Sequence, residues 1–129
     1  MSFHEQSVYI SAEAAEALTA FQLVKYDING KVVKCAANTD IPCGVVQGSC
    51  QSGEQVSICV QGLSNVIAGG VITAGTDNYL MPAAAGKVVK FVSGANVNVI
   101  GRFLPYQANL VSSDGEILRA YFSPNIGNA

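Results

Sequence analysis

The sequence contains few of the residues that active sites usually need. It has no tryptophan and one histidine, and charged residues make up only 12% of the chain, against roughly 25% in soluble domains. The histidine, His4, lies near the start of the chain, so no Ser-His-Asp set can form unless that segment folds back. All four aspartates, Asp27, Asp40, Asp77 and Asp114, lie in predicted turns or connections, where aspartate is common for structural reasons. The sequence therefore predicts a protein that is not an enzyme and that needs no cofactor.

Basic clusters and long apolar runs are also missing. The net charge is −2 and no group of Lys and Arg residues forms a patch, so a nucleic-acid partner is not expected. No apolar stretch approaches the roughly 20 residues that span a bilayer, so no membrane partner is expected either. The first residues lack the basic region and apolar segment of a secretory signal, and we expect synthesis in the cytoplasm.

One phrase of five residues, Gly-Lys-Val-Val-Lys, occurs twice. A match this long is expected by chance on the order of once in a hundred chains of this size. Its surroundings repeat as well, with an apolar-Thr-Ala step upstream and a Gly-Glu pair downstream. The matched segments are 18–20 and 72–74, 30–34 and 86–90, and 53–54 and 115–116. We infer two tandem copies of one β-rich unit.

These copies define the predicted domain organisation. A single domain covers residues 14–124, with units at about 14–62 and 70–124. An N-terminal arm, residues 1–13, precedes it, and residues 125–129 form a tail.

Four cysteines lie in the first unit: Cys35, Cys43, Cys50 and Cys59. They include no C-x-x-C pair and have no neighbouring histidine, so a zinc site is not expected. A disulfide framework would be expected in both copies of the repeat, and the second copy has no cysteine. We interpret them as reduced thiols that act as small apolar residues.

Alternating apolar residues and turn residues predict strands throughout the chain. Residues 54–61 are the clearest strand, with Val56, Ile58 and Val60 on one face and Gly62 at its end. Asn29-Gly30 predicts a hairpin turn. Residues 11–18 contain helix-forming residues but are too short for a stable helix, and we expect a loop with at most one helical turn. Short strands with turns every 8–12 residues predict an all-β fold, a small antiparallel β-barrel or sandwich.

The apolar residues of the arm have no local partner strand. Val8, Tyr9 and Ile10 either add to a sheet edge, lie on another molecule, or form the first strand of the domain's own sheet. The sequence leaves these alternatives open.

Four segments resemble the small capsid decoration, or cement, proteins of tailed bacteriophages. They share a pattern of turns and strands over about residues 14–104. The segments are Leu18-Thr19-Ala20, the hairpin turn at residues 27–32, Ile41-Pro42-x-Gly44-Val45, and the alternating strand from Gly53-Glu54 to Gly62. The four cysteines and an insertion at residues 106–114 depart from the pattern.

The resemblance implies a non-enzymatic protein on the exterior of the mature virion head. It would join neighbouring subunits of the major capsid protein, as a homotrimer or as a dimer. Within that hypothesis, Phe3, Val8, Tyr9 and Ile10 are predicted capsid contacts. A separate set, Tyr106, Leu110 and Val111, is predicted to form contacts between copies.

Two other functions remain open at this stage. One is a head-fibre or receptor-binding module that binds glycans, although the absence of tryptophan argues against an aromatic glycan platform. The other is a β-barrel enzyme or ligand carrier, which would require a deep pocket with convergent polar groups.

Overall fold

The computed structural model describes residues 7–73, 79–92, 101–103 and 114–122. These parts of the chain form nine strands and one short 3-10 turn at Ala84–Gly86. The strands are β1 (Val8–Glu13), β2 (Leu23–Tyr26), β3 (Val32–Lys34), β4 (Gly44–Val46), β5 (Gln55–Ile67), β6 (Tyr79–Pro82), β7 (Val88–Lys90), β8 (Gly101–Phe103) and β9 (Ile117–Phe122). The all-β prediction is confirmed.

The strands pair in the order β3-β2-β4-β5-β9-β8-β6-β7, and β1 pairs with β5 beside this path. All of these pairings are antiparallel. Strands β3 and β7 lie at the two ends, and no pairing among the described strands joins them. The antiparallel sheet is therefore open, not a closed barrel.

The pairing repeats between the two halves of the chain. Val24 on β2 pairs with Lys34 on β3 and with Gly44 on β4. Leu80 on β6 pairs in the same way with Lys90 on β7 and with Gly101 on β8. The repeated phrase therefore occupies equivalent places in two equivalent hairpins.

Strand β5 belongs to both halves. Its residues 55–61 pair with β1, and its residues 62–67 pair with β9. The second part of β5 thus takes the place in the second half that β1 takes in the first. We call β1–β4 with residues 55–61 the first unit, and residues 62–67 with β6–β9 the second unit. The equivalence extends upstream of the predicted units, to Val8 and to Gly62.

The repeated phrase has the same structural role in both copies. Gly30 and Gly86 have φ values of 78° and 71°, which favour glycine, and each ends a turn before the return strand. The valines that follow, Val32 and Val88, are fully buried and bridge to Ala14 and Ala68 respectively.

The lysines of the phrase tie each hairpin to a neighbouring segment. Lys31 Nζ lies 3.1 Å from Glu13 Oε2, and Lys87 Nζ lies 2.9 Å from Asp114 Oδ1. Both pairs are partly exposed to solvent, so each contributes little stability alone.

Two expectations about the N-terminal half are corrected. Residues 8–13 form β1 in the protein's own sheet, so Ser11, Ala12 and Glu13 are strand residues and not part of a loop or helical turn. Strand β5 does not end at Gly62 but continues to Ile67. Gly62 has φ of 118°, and a Cβ there would lie 2.6 Å from Ser7 Cα, so glycine lets the two segments meet within a continuous strand.

The buried side chains form two clusters. One lies within the first unit and contains Val24, Val32, Val46 and Ile58. The other contains the equivalent residues of the second unit, such as Leu80, Val88 and Ala120, together with Leu23, Cys35 and Val45 from the first unit. The core of the second unit is therefore completed by one face of the first.

Candidate interaction surfaces

The described residues contain no group of three or more His, Cys, Asp or Glu side chains that could hold a metal ion. The four cysteines are free, as the interpretation of reduced thiols requires, and Cys35, Cys50 and Cys59 are buried. Burial raises the pKa of Cys35 to about 12 and the pKa of Cys43 to about 11, and it also raises the pKa of Cys59. Since the thiolate is the nucleophilic form, these three thiols hold less of it at neutral pH than an exposed cysteine does.

Three predicted capsid contacts lie on β1. Val8 and Tyr9 are 49% and 52% exposed, and Ile10 is half-buried against the cluster of the first unit. One side of β1 pairs with β5, and within the described part of the chain no strand pairs with the other side. An open strand edge beside exposed apolar side chains is a surface on which another chain can add a strand.

The remaining predicted contacts lie outside the described residues. These are Phe3 in the predicted arm, and Tyr106, Leu110 and Val111 in the second unit. The structure therefore places one of the two predicted contact sets in part and leaves the other as a prediction.

A second surface lies on the outer face of the second unit and was not predicted. Phe91, Tyr79, Tyr121 and Leu63 lie in one row across the sheet, and Arg102 of β8 occupies the place between the two tyrosines. The Phe91 N–H donates to the Tyr79 carbonyl over 2.9 Å, Arg102 pairs in register with both Tyr79 and Tyr121, and Leu63 pairs with Tyr121. We call Phe91, Tyr79, Tyr121 and Leu63 the aromatic row. Tyr79 is 47% exposed, and the other three are half-buried.

The equivalent row in the first unit is mostly buried. By the same pairings it consists of Cys35, Leu23, Cys59 and Tyr9, with Val45 between Leu23 and Cys59. Leu23, Cys35 and Val45 pack in the cluster of the second unit. Leu23, Cys35 and Cys59 are thus fully buried, whereas their counterparts in the aromatic row are exposed or half-buried.

An alignment of the two copies could have found this surface. It places Tyr79 opposite Leu23 and Phe91 opposite Cys35, because Gly30 and Gly86 fix an offset of 56 residues in these hairpins. The alignment does not show which face of each hairpin packs against the other unit, because this depends on packing between distant strands.

Within the described residues no helix is long and apolar enough to cross a membrane.

The comparisons with known proteins give a likeness to a solved structure. No family model matches the chain, and no curated protein matches it. The crystal structure of the N base of the head fibre protein gp8.5 of bacteriophage phi29 has a similar fold, with a TM-score of 0.68. The alignment covers 92% of this chain and 96% of that chain, at 21% sequence identity. The two proteins therefore share a fold along almost their whole lengths.

Proposed function

We propose that this protein is a structural virion protein that binds the outer surface of a mature phage head. It stabilises contacts between subunits of the major capsid protein and acts as a homotrimer. The observation that carries the proposal is the fold shared with the base of a phage head fibre over 92% of the chain. The turn and strand pattern that resembles phage decoration proteins supports the same role from the sequence.

The open edge of β1 is the surface we assign to the capsid. Backbone groups on a free strand edge can pair with an edge strand of the capsid protein, and the adjacent side chains of Val8 and Tyr9 can fill apolar pockets beside it. A single contact made by one strand edge and two side chains has a modest affinity. Many symmetric copies on one head make the attachment strong through avidity.

The experiment is binding to phage heads that lack the protein, measured by co-sedimentation over a range of concentrations. The double variant Val8→Lys with Tyr9→Lys should bind at least about tenfold more weakly, because both exposed apolar anchors are replaced. Phe3→Lys tests the segment before β1 separately. Unchanged occupancy of the double variant would show that β1 is not the capsid contact, and no binding by the unaltered protein would overturn the function itself.

The control is Val71→Lys. Val71 is also an exposed apolar residue, at 57%, but it follows β5 in the chain and is not among the residues that pair with β1. It should bind heads like the unaltered protein. Truncation of residues 1–10 is not a suitable test, because it would remove half of a strand that pairs with β5.

The second candidate function is a head-fibre base or receptor-binding module. It is favoured by the nature of the structural neighbour, which is part of a head fibre. The partly exposed Tyr79 and Tyr121 are side chains on which a sugar ring could stack. A glycan array separates the two functions: selective glycan binding that Tyr79→Lys abolishes would support the receptor module, and an empty array would leave capsid attachment as the better account.

A further inference from the structure

The contact between the two units joins two different surfaces. The first unit contributes its outer row, Leu23, Cys35 and Val45, and the second unit contributes its core side chains. Hydrogen bonds reinforce the contact: the Gly86 N–H donates to the Cys35 carbonyl over 2.8 Å, and Gln22 Nε2 donates to the Ala85 carbonyl over 3.1 Å. A contact between unlike surfaces leaves one surface of each kind unused at the two ends of the chain.

The unused outer surface is the aromatic row. Leu23 and Cys35 are fully buried by the internal contact, whereas their equivalents Tyr79 and Phe91 are 47% exposed and half-buried. Cys59 is fully buried and its equivalent Tyr121 is half-buried. Exposed aromatic side chains are enriched at protein–protein interfaces and contribute much of the binding energy there.

The unused receiving surface lies on the first unit. Some positions that are buried in the second unit have more exposed equivalents there, although the central core positions Val24 and Val32 are fully buried like their equivalents Leu80 and Val88. Pro82 is buried and its equivalent Tyr26 is 50% exposed, while Gly86 is buried and its equivalent Gly30 is exposed.

The same difference holds deeper in this surface. Val66 and Phe122 are 2% and 1% exposed, and their equivalents Ala12 and Val60 are half-buried. We call Tyr26, Gly30, Ala12 and Val60 the receiving surface.

We propose that a second copy of this chain places its aromatic row on the receiving surface of its neighbour. The contact between chains would repeat the head-to-tail contact that joins the two units within a chain. Such a contact closes into a ring when the rotation per copy divides a full turn, and otherwise it forms a filament. The proposal deepens the proposed function, because it assigns the surfaces through which copies of the homotrimer would meet. It can be tested without heads, so the two proposals can fail separately.

The occupant is a second copy because the chain already contains this contact once. The row and the receiving surface are built on the same hairpins that meet inside the chain, with the same strand pairing behind them. The named positions of both surfaces are apolar or uncharged, so contact at these positions buries no unpaired charge. Arg102 is the charged residue in register with the row, between Tyr79 and Tyr121.

The test uses two single substitutions and the purified full chain. Tyr79→Lys disrupts the aromatic row and Tyr26→Lys disrupts the receiving surface. The two tyrosines are almost equally exposed. Each variant should raise the dissociation constant for self-association at least about tenfold, as measured by sedimentation velocity. A mixture of the two variants should form a one-to-one dimer and nothing larger, because only one row and one receiving surface remain intact.

The control is again Val71→Lys. Val71 and its equivalent Ala17 are both exposed, so this position lies outside the internal contact and outside its proposed repetition. It should associate like the unaltered protein. Thermal unfolding followed by circular dichroism confirms that each variant is folded.

Three outcomes would overturn the proposal. The first is that the unaltered protein remains a monomer at all concentrations. The second is that Tyr26→Lys associates normally and Tyr79→Lys does not, as expected if the aromatic rows of two copies met each other. The third is a mixture of variants that stays monomeric.

Discussion

Glycine at position 44 allows β4 to lie directly against β5. A Cβ there would press on Ile58 Cγ2 and lie 2.5 Å from the Cys59 carbonyl oxygen, and both of these residues are fully buried. Gly101 holds the equivalent position in β8, since each glycine pairs with the same position of its hairpin. Close approach of two strands, and not a turn, is what requires glycine here.

Gly44→Ala should therefore destabilise the fold. We expect the free energy of unfolding to fall by about 1–3 kcal/mol, the usual cost of overpacking a close-packed site. Urea unfolding measures the change. The matched control is Gly48→Ala, since a Cβ at position 48 would meet no atom within 4 Å. That variant should change the free energy of unfolding by no more than about 1 kcal/mol in either direction. Equal losses in the two variants would contradict the role given to Gly44.

Asp40 gives the first unit a stability that depends on pH. Burial alone would raise the pKa of this carboxyl, but the Ala36 and Ala37 N–H groups donate to it over 2.7 and 3.1 Å, and Lys25 Nζ over 2.9 Å. The net effect is a pKa below the ordinary value. Because the unfolded chain holds the proton more tightly, the stabilisation is present above the unfolded pKa of about 3.9 and is lost as pH falls through the folded pKa.

The variant Asp40→Asn should consequently lower the melting temperature at pH 7, and the difference from the unaltered protein should shrink below about pH 4. Differential scanning calorimetry between pH 7 and pH 3 measures this. Asp114→Asn is the comparison, because Asp114 also lies 2.9 Å from a lysine but its side chain is 67% exposed. We expect little change from it at any pH. A deficit in Asp40→Asn that persists unchanged at pH 3 would show that the carboxylate charge is not the cause.

Among the elements, those defined by local signals were predictable from the sequence. The short apolar run at residues 44–46 is enclosed by turn residues, a pattern that predicts a short strand, and β4 is found at Gly44–Val46. The hairpin before β3 follows from Asn29-Gly30, and Asp27 Oδ1 accepts the Asn29 and Lys31 N–H groups across that turn. Both features depend on residues close together in the chain.

Elements decided by distant partners were not predictable in the same way. After Gly62 the sequence continues Leu63-Ser64-Asn65, which has the composition of a turn. In the structure Ser64 is 3% exposed, accepts a hydrogen bond from Gln47 Nε2 over 3.0 Å and donates one to the Asn65 carbonyl over 2.9 Å. Pairing with β9, which runs from Gly62↔Phe122 to Ile67↔Ile117, extends the strand through this stretch. The exposed aromatic row depends on the same long-range packing, so single-sequence patterns could not identify it.

At the scale of the whole molecule, the two units depend on each other unequally. The cluster of the first unit is formed by that unit's own side chains, whereas the cluster of the second unit includes Leu23, Cys35 and Val45 of the first. The second unit therefore needs the first in order to complete its core. Within the described residues, the cluster of the first unit contains no side chain from the second unit. Two adjacent residues of β2 allow each cluster to be perturbed separately, because the side chains of adjacent strand residues point to opposite faces of the sheet.

Leu23 and Val24 are both fully buried, but Leu23 lies in the second unit's cluster and Val24 in the first unit's. Leu23→Ala should lower the free energy of unfolding by about 2–5 kcal/mol. It should also accelerate amide hydrogen exchange mainly in β6, β7 and β9, although the substituted residue is in β2. Val24→Ala should accelerate exchange mainly in β1, β3 and β4. Hydrogen exchange with mass spectrometry resolves these segments. If the two variants loosened the same strands, the cores would form one cooperative unit, and the unequal dependence would be wrong.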